Sequence, residues 1–247
     1  VVQTGGRNVY SKKIRLQPLQ TFTDSVKAAP DPQELLITLG KNKLQYNSNP
    51  NHNVISRPLA TIDSFKWNTA YGLYIEGREL YDQKMYAEAE IKLKASLEKD
   101  PAFVPALLQS AILQYRNLQY KDALQNIREC LQFDAHDGET NYYYGLINEK
   151  LGNTTDAIDG FSLATLSEAY KSAAFTGLAR LFTADGNYES AAGYADKATA
   201  YNNTNINAYL LKAVALRKLG KPGEAKKVLD EILRIDPLNH FARYEQY

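Results

Sequence analysis

Residues 138–171 read GETNYYYGLINEKLGNTTDAIDGFSLATLSEAYK, and Gly145 and Ala157 within this stretch belong to two series that decide the fold. Gly77, Ala111, Gly145, Ala179 and Ala213 lie 34 residues apart, and Ala89, Ala123, Ala157, Ala191 and Ala225 keep the same step. A fixed period of this length means one unit stacked on copies of itself. Taking Pro101 and Pro237 as the thirty-second place of a unit sets the register as 70–103, 104–137, 138–171, 172–205 and 206–239. In the first unit Leu73, Gly77 and Leu80, then Ala89, Leu93 and Leu97, carry the three-to-four spacing of two amphipathic helices. A glycine or alanine at the eighth and twentieth places lets helix axes approach to about 8–10 Å. Turn signals recur between the paired helices: Gln83 to Tyr86, Leu118 to Tyr120, Gly152 to Thr154, Gly186 to Tyr188 and Gly220 to Pro222.

The period, the small eighth residue, the alanine at place twenty and the Asp-Pro near the end are similar to the tetratricopeptide (TPR) repeat. That resemblance implies a mainly α chain, a right-handed α-α superhelix over residues 70–247. Residues 240–247 then open a sixth unit, and a β-rich segment, 1–69, precedes the stack. Departures are the missing tryptophan at place four, Ala135, Ala169 and Asn203 in place of proline, and Pro222 in place of a turn tyrosine. None disturbs the register. Units of this kind cannot bury their apolar faces alone and draw stability from their neighbours.

Before Thr69 the period stops and strand signals begin. Ile14 to Gln17 alternates, Leu35 to Leu39 is a short apolar run, and Lys43 to Tyr46 follows Gly40-Lys41-Asn42 as the second arm of a hairpin. Asn47 to Pro58 reads as loop, and a linker ends near Asp63 to Trp67, where Phe65 and Trp67 are placed to pack on the first repeat. The segments PLQTFTDSV, LLITLGKNKLQY and NVISRPLATIDSFKWNTAYGLYIEGRELYDQKMYAEAE, together with ETNYYYGLINEKLGNTTDAIDGF, carry a further resemblance. They resemble the C-terminal half of large bacterial proteins in which a mutarotase-like β-sandwich domain of unknown function precedes TPR repeats. The resemblance implies that residues 1–62 follow such a sandwich, and it links the protein to carbohydrate by fold analogy alone. The compartment is left open, with a bacterial cytoplasm slightly favoured over a periplasm. No catalytic residue carries over. The opening Val1-Val2, the single methionine at 85 and the start of a sixth unit make a piece of a longer protein the expectation.

Charge is divided unevenly: residues 1–69 hold nine Lys and Arg against four Asp and Glu, and residues 70–247 hold 20 against 24. Neither part has the concentrated basic stripe of a nucleic-acid binder, and no apolar run approaches the ~20 residues of a membrane helix. The visible N-terminus lacks a basic-then-apolar signal pattern. His52, His136 and His240 are far apart, no metal-ligand spacing or phosphate loop occurs, and Gly5-Gly6 lacks the context of one. Cys130 sits at place twenty-seven, where a small packed residue belongs. Two short glycosylation matches, at Asn153 and Asn202, carry no weight. No catalytic, cofactor or metal site is expected, and the chain reads as a non-enzymatic scaffold.

By resemblance to the repeat family, places two, five, nine, twelve and thirteen of each first helix face a concave groove. The groove residues so named are Tyr71, Tyr74, Arg78, Tyr81, Leu108, Ile112, Tyr115, Arg116, Tyr142 and Arg180, with Pro105, Glu139 and Glu149 at equivalent places. Tyrosine and arginine dominate binding hot spots because they bury a large area and keep a polar end. The expected partner is a protein or peptide segment, or the protein's own β-sandwich domain. The alternatives are an accessory module of a carbohydrate-active protein, with Tyr71, Tyr74 and Tyr142 stacking a glycan, and a structural clamp that orients domains within the protein or builds a homodimer through the open C-terminal end. The co-chaperone pattern is excluded, because the matching places hold Tyr74, Arg78, Gln109, Glu139 and Tyr143.

Overall fold

Every unit of the 34-residue register is met by a helical hairpin in the computed structural model, which describes residues 1–17, 20–27, 34–40, 43–49 and 65–246. The pairs are α1 (Ala70–Asp82) with α2 (Tyr86–Lys99), α3 (Val104–Arg116) with α4 (Tyr120–Phe133), and α5 (Gly138–Leu151) with α6 (Thr154–Ala164). They continue as α7 (Lys171–Ala184) with α8 (Tyr188–Tyr201) and α9 (Ile206–Lys218) with α10 (Pro222–Ile235), and α11 (His240–Glu245) follows. Side-chain caps start several of these helices: Thr69 accepts from the Gly72 N–H, Asp137 from Thr140, Asn205 from Ala208 and Asn239 from Ala242. Each cap satisfies one of the donors that a helix N-terminus leaves without a partner.

Each second helix packs on its own first helix and on the first helix of the next unit, and successive first helices touch one another. The core is accordingly a row of local clusters. Leu93 of α2 meets Ala106 and Leu113 of α3, and Ala111, Ala123 and Ile127 meet Ile147 of α5. Ala157 and Phe161 of α6 meet Ala174 and Leu178 of α7, while α9, α10 and α11 share the last cluster through Ala213, Leu229 and Ala242.

Both series of small residues are buried along their length. What they make room for can be measured. A Cβ on Gly77 would lie 3.0 Å from Leu93 Cγ, one on Gly145 2.7 Å from the Phe161 ring, and one on Gly177 also 2.7 Å from that ring. Phe161, wholly buried, is therefore seated between two glycines, one from its own unit and one from the next. Gly160 is tighter, because a Cβ there would meet backbone, Gly145 N at 2.7 Å and Asn141 O at 2.8 Å. In the fourth unit the buried residues of α8 are all alanine, and a row of stacked rings supplies area instead: Tyr201 on Phe175, Phe175 on Tyr194 and Tyr194 on Phe182, at 5.3–6.2 Å.

The turn inside each hairpin repeats as well. The residue at place fifteen is left-handed in all five units: Lys84 (φ 66°), Leu118 (φ 64°), Gly152 (φ 80°), Gly186 (φ 81°) and Gly220 (φ 73°). Three units place glycine there, as sequence reading expects, while Lys84 and Leu118 adopt the same conformation against their Cβ.

The chain divides into the units Val1–Phe65 and Lys66–Tyr247. The first holds an antiparallel sheet in the order β2-β1-β3-β4, with β1 (Val2–Thr4), β2 (Arg7–Tyr10), β3 (Leu35–Leu39) and β4 (Leu44–Asn47). The hairpin of β3 and β4 lies where the sequence places it. The strand expected at Ile14–Gln17 does not form. Ile14 instead lines, with Phe22 and Val26, an apolar cleft also bounded by Val2, Ile37 and Leu39, and alternation alone cannot tell a strand from an extended segment of this kind. The strands at 2–4 and 7–10 escape sequence reading because they are short and largely polar; Gly5 and Gly6, both at positive φ, make the tight turn between them. Residues 50–64, which hold most of the expected loop and the start of the linker, lie outside the described residues.

Gly-to-Ala exchange in a helix ordinarily stabilises by about 1 kcal/mol, and two sites should split in sign. Gly193→Ala, with nothing within 4 Å of the new methyl, is expected to raise stability by about 0.5–1 kcal/mol. Gly160→Ala should lower it by about 1–3 kcal/mol through overpacking against backbone. Leu118, 71% exposed, should gain about 1 kcal/mol on exchange to glycine, by relief of the left-handed strain. Urea denaturation of the three variants checks all three signs.

Candidate binding groove

Because the first helices touch in series, their shared face forms one wall, and a cleft of about 400 Å³ opens in it across the first three units. Tyr74 and Arg78 of α1 form one side, and Pro105, Leu108, Gln109 and Ile112 of α3 the middle. Asp134, Asp137, Glu139 and Thr140, from the end of α4 and the start of α5, form the other side. Tyr74 is held edge-on to Phe103 at 5.7 Å, and Tyr71 meets the same ring at 6.4 Å. Asp137 is fixed by its capping role, accepting from the Thr140 N–H at 2.8 Å and the Thr140 hydroxyl at 2.6 Å. Arg78 is exposed and forms no ion pair among the described residues.

The remaining residues named from the sequence are engaged within the chain. Tyr81 packs edge-on to Tyr86 at 5.4 Å, Tyr115 on Tyr120 at 5.7 Å, and the Arg116 guanidinium sits 4.2 Å above the Tyr86 ring. Tyr142 lies among Tyr143, Phe161 and Tyr170, with ring centres 5.3–5.9 Å away. Arg180 reaches back one unit to Glu149, its Nε donating to Oε1 at 2.6 Å and Nη2 to Oε2 at 2.5 Å. This fork is bidentate, the stronger geometry for such pairs, and it ties α5 to α7. The cleft thus gathers Tyr74, Arg78, Leu108 and Ile112 of the named set, and the other six lie elsewhere.

Sequence reading did not assign Gln109, Asp134, Asp137, Thr140 or Tyr143 to the groove, although it met Gln109 and Tyr143 as mismatches to the co-chaperone pattern. Gln109 and Tyr143 are each one place beyond an inward position, and the two aspartates belong to the loop between units, which the helical register does not address. Tyr143 joins the ring of Tyr115 at 6.2 Å and that of Tyr142 at 5.6 Å. Burial pushes the phenols of Tyr115, Tyr142, Tyr143 and Tyr170 above their ordinary range, with Glu139 beside the Tyr170 hydroxyl adding to the effect there. Cys130 borders the cleft, but burial pushes its thiol up to about 12, and its Sγ points to the Val104 carbonyl at 3.9 Å. A thiol in that state is a packing residue. Among the described residues no three His, Cys, Asp or Glu side chains are grouped to hold a metal ion, and no helix is long and apolar enough to cross a membrane.

The helical unit has the tetratricopeptide-repeat fold, an architecture consistent with a protein-binding scaffold. The tetratricopeptide repeat model matches residues 182–245. The TPR repeat-containing protein YpiA of Bacillus subtilis (strain 168) is 26% identical over 164 residues, covering 65% of this chain and 38% of that protein. The chain therefore spans well under half the length of this relative. Solved structures share the fold: PilF of Pseudomonas aeruginosa, with a TM-score of 0.65 at 18% identity, covers 71% of this chain and 80% of its own. YrrB, a TPR protein with an unusual peptide-binding site, has a TM-score of 0.60 at 17% identity over 72% of this chain and 91% of its own. MamA has a TM-score of 0.60 at 20% identity over 68% and 92%.

The buried tyrosines set an alkaline limit. A phenol whose pKa is raised on folding holds its proton more tightly in the folded state, so its contribution is complete below about pH 10, the ordinary tyrosine value, and is lost as pH rises above it. Absorbance at 295 nm should resolve a late-titrating class of tyrosines, and the melting temperature should fall as pH rises past about 10. Cys130 should resist alkylation at pH 8 until the chain is unfolded.

Proposed function

We propose that this chain is a non-enzymatic scaffold that captures a protein segment in the cleft of its first three units. The observation that carries the reading is the meeting of Tyr74, Arg78, Leu108, Gln109 and Ile112 in one concavity while the wall around it is already satisfied internally. Concave, partly apolar sites with a few convergent polar groups are the usual setting for recognition. Leu108 and Ile112 give an aliphatic floor, the Gln109 amide offers both a donor and an acceptor to a peptide backbone, and Arg78 supplies a guanidinium with no ion pair among the described residues. The peptide-binding description of the structural neighbour YrrB supports the same class of partner.

Selection of displayed random peptides on the immobilised chain tests this reading. Enriched peptides should lose about tenfold in affinity, roughly 1.4 kcal/mol, on the double substitution Arg78→Ala with Gln109→Ala. The melting temperature should move by less than about 2 °C, as befits surface exchanges. Failure to enrich any peptide, or equal binding by the double variant, would contradict the proposal.

A further inference from the structure

The cleft is electrically one-sided along its length, and that asymmetry says what kind of segment it takes. Arg78, on α1, is exposed and without an ion-pair partner among the described residues. The opposite side carries Asp134, Asp137 and Glu139, and no Lys or Arg among the described residues pairs with any of the three. The partners of the two aspartates are neutral donors: the His136 backbone N–H to Asp134 at 2.9 Å, and the Thr140 N–H and hydroxyl to Asp137. Neutral hydrogen bonds orient a carboxylate without cancelling its charge. Elsewhere on the wall the acid at place twelve is neutralised, as Glu149 is by Arg180. Between the two charged sides lie Pro105, Leu108 and Ile112, an apolar strip with no charge of its own.

Resting on the groove reading above, we propose that the cleft accepts an extended segment bearing an acidic residue at one end, an aliphatic residue in the middle and a basic residue at the other. The acid meets Arg78, the aliphatic side chain lies on Leu108 and Ile112, and the base meets Asp134, Asp137 and Glu139. The spacing follows from the stack. Helices α1, α3 and α5 touch in series, and two steps at about 8–10 Å each give about 16–20 Å. An extended chain rises about 3.3 Å per residue, so acid and base stand about five or six residues apart. Complementary charge of this kind fixes direction and register more than it adds raw affinity, so a segment entering backwards meets like charge at both ends.

Fluorescein-labelled peptides read by anisotropy provide the test. One peptide has the order Glu-Ser-Leu-Ser-Ser-Arg, a second Arg-Ser-Leu-Ser-Ser-Glu, and a third has glutamine at both charged positions. One of the two charged orders should bind about tenfold tighter than the other and than the neutral peptide, with the difference shrinking at high salt. Arg78→Glu should abolish that preference, and exchanging the peptide's Glu for Lys should restore binding to this variant. Equal binding of all three peptides, or an Arg78→Glu variant that keeps the original preference, overturns the charge assignment and leaves the groove reading standing. Displayed peptides that enrich without any paired charge have the same consequence. If no displayed peptide enriches at all, both readings fall.

Discussion

Buried small residues at places eight and twenty, which leave room for the neighbouring helix, are the constraint on which the helical unit depends. Where glycine stands at place eight, the neighbouring Leu93 or Phe161 occupies the volume a methyl would need; where alanine stands there, the methyl itself is buried. Tight packing of this kind gains dispersion contacts on every side of a buried chain and tolerates little added volume. Phe161 illustrates the balance. Burying a phenyl ring is worth about 1.5–3 kcal/mol, and the ring fits only because Gly145 and Gly177 give way on two sides.

The cleft is a consequence of the same contacts. With first helices abutting in series, their inward side chains share a wall, and each either finds a neighbour on that wall or faces the solvent. Tyr81, Tyr115, Arg116, Tyr142 and Arg180 find neighbours. Tyr74, Arg78, Leu108 and Ile112 are left bordering the open volume. The tyrosines therefore serve chiefly to join units, and the proposed recognition draws on a smaller set, Arg78 and the carboxylates at the α4–α5 junction.

The helical fold was legible because a period of 34 with fixed small residues constrains sequence strongly. Helix starts such as Ala70, Val104 and Gly138 coincide with the unit boundaries set by Pro101 and Pro237. The turns were legible where glycine marks them. At Gln83 to Tyr86 and Leu118 to Tyr120 the turn is readable but its left-handed residue is not, because the packing of two long helices imposes that conformation on Lys84 and Leu118 against local preference. Groove residues were legible as a face but not as a site. Place-by-place assignment cannot know that Glu149, itself at an inward place, stands within reach of Arg180 in the next unit. It cannot see the loop carboxylates Asp134 and Asp137 either. In the N-terminal unit a three-residue strand, Val2–Thr4, has too few positions to express alternation, while Ile14–Gln17 alternates yet joins no strand ladder among the described residues.

Hydrogen exchange on an Ala111→Leu variant reaches the central claim most directly. Ala111 is fully buried in the cluster that joins α3, α4 and α5. If clearance at place eight holds the stack, amide protection should drop in the helices of the first three units, while α9 and α10, which communicate only through their neighbours, keep theirs. Protection across α3, α4 and α5 equal to that of the unaltered chain would contradict the account.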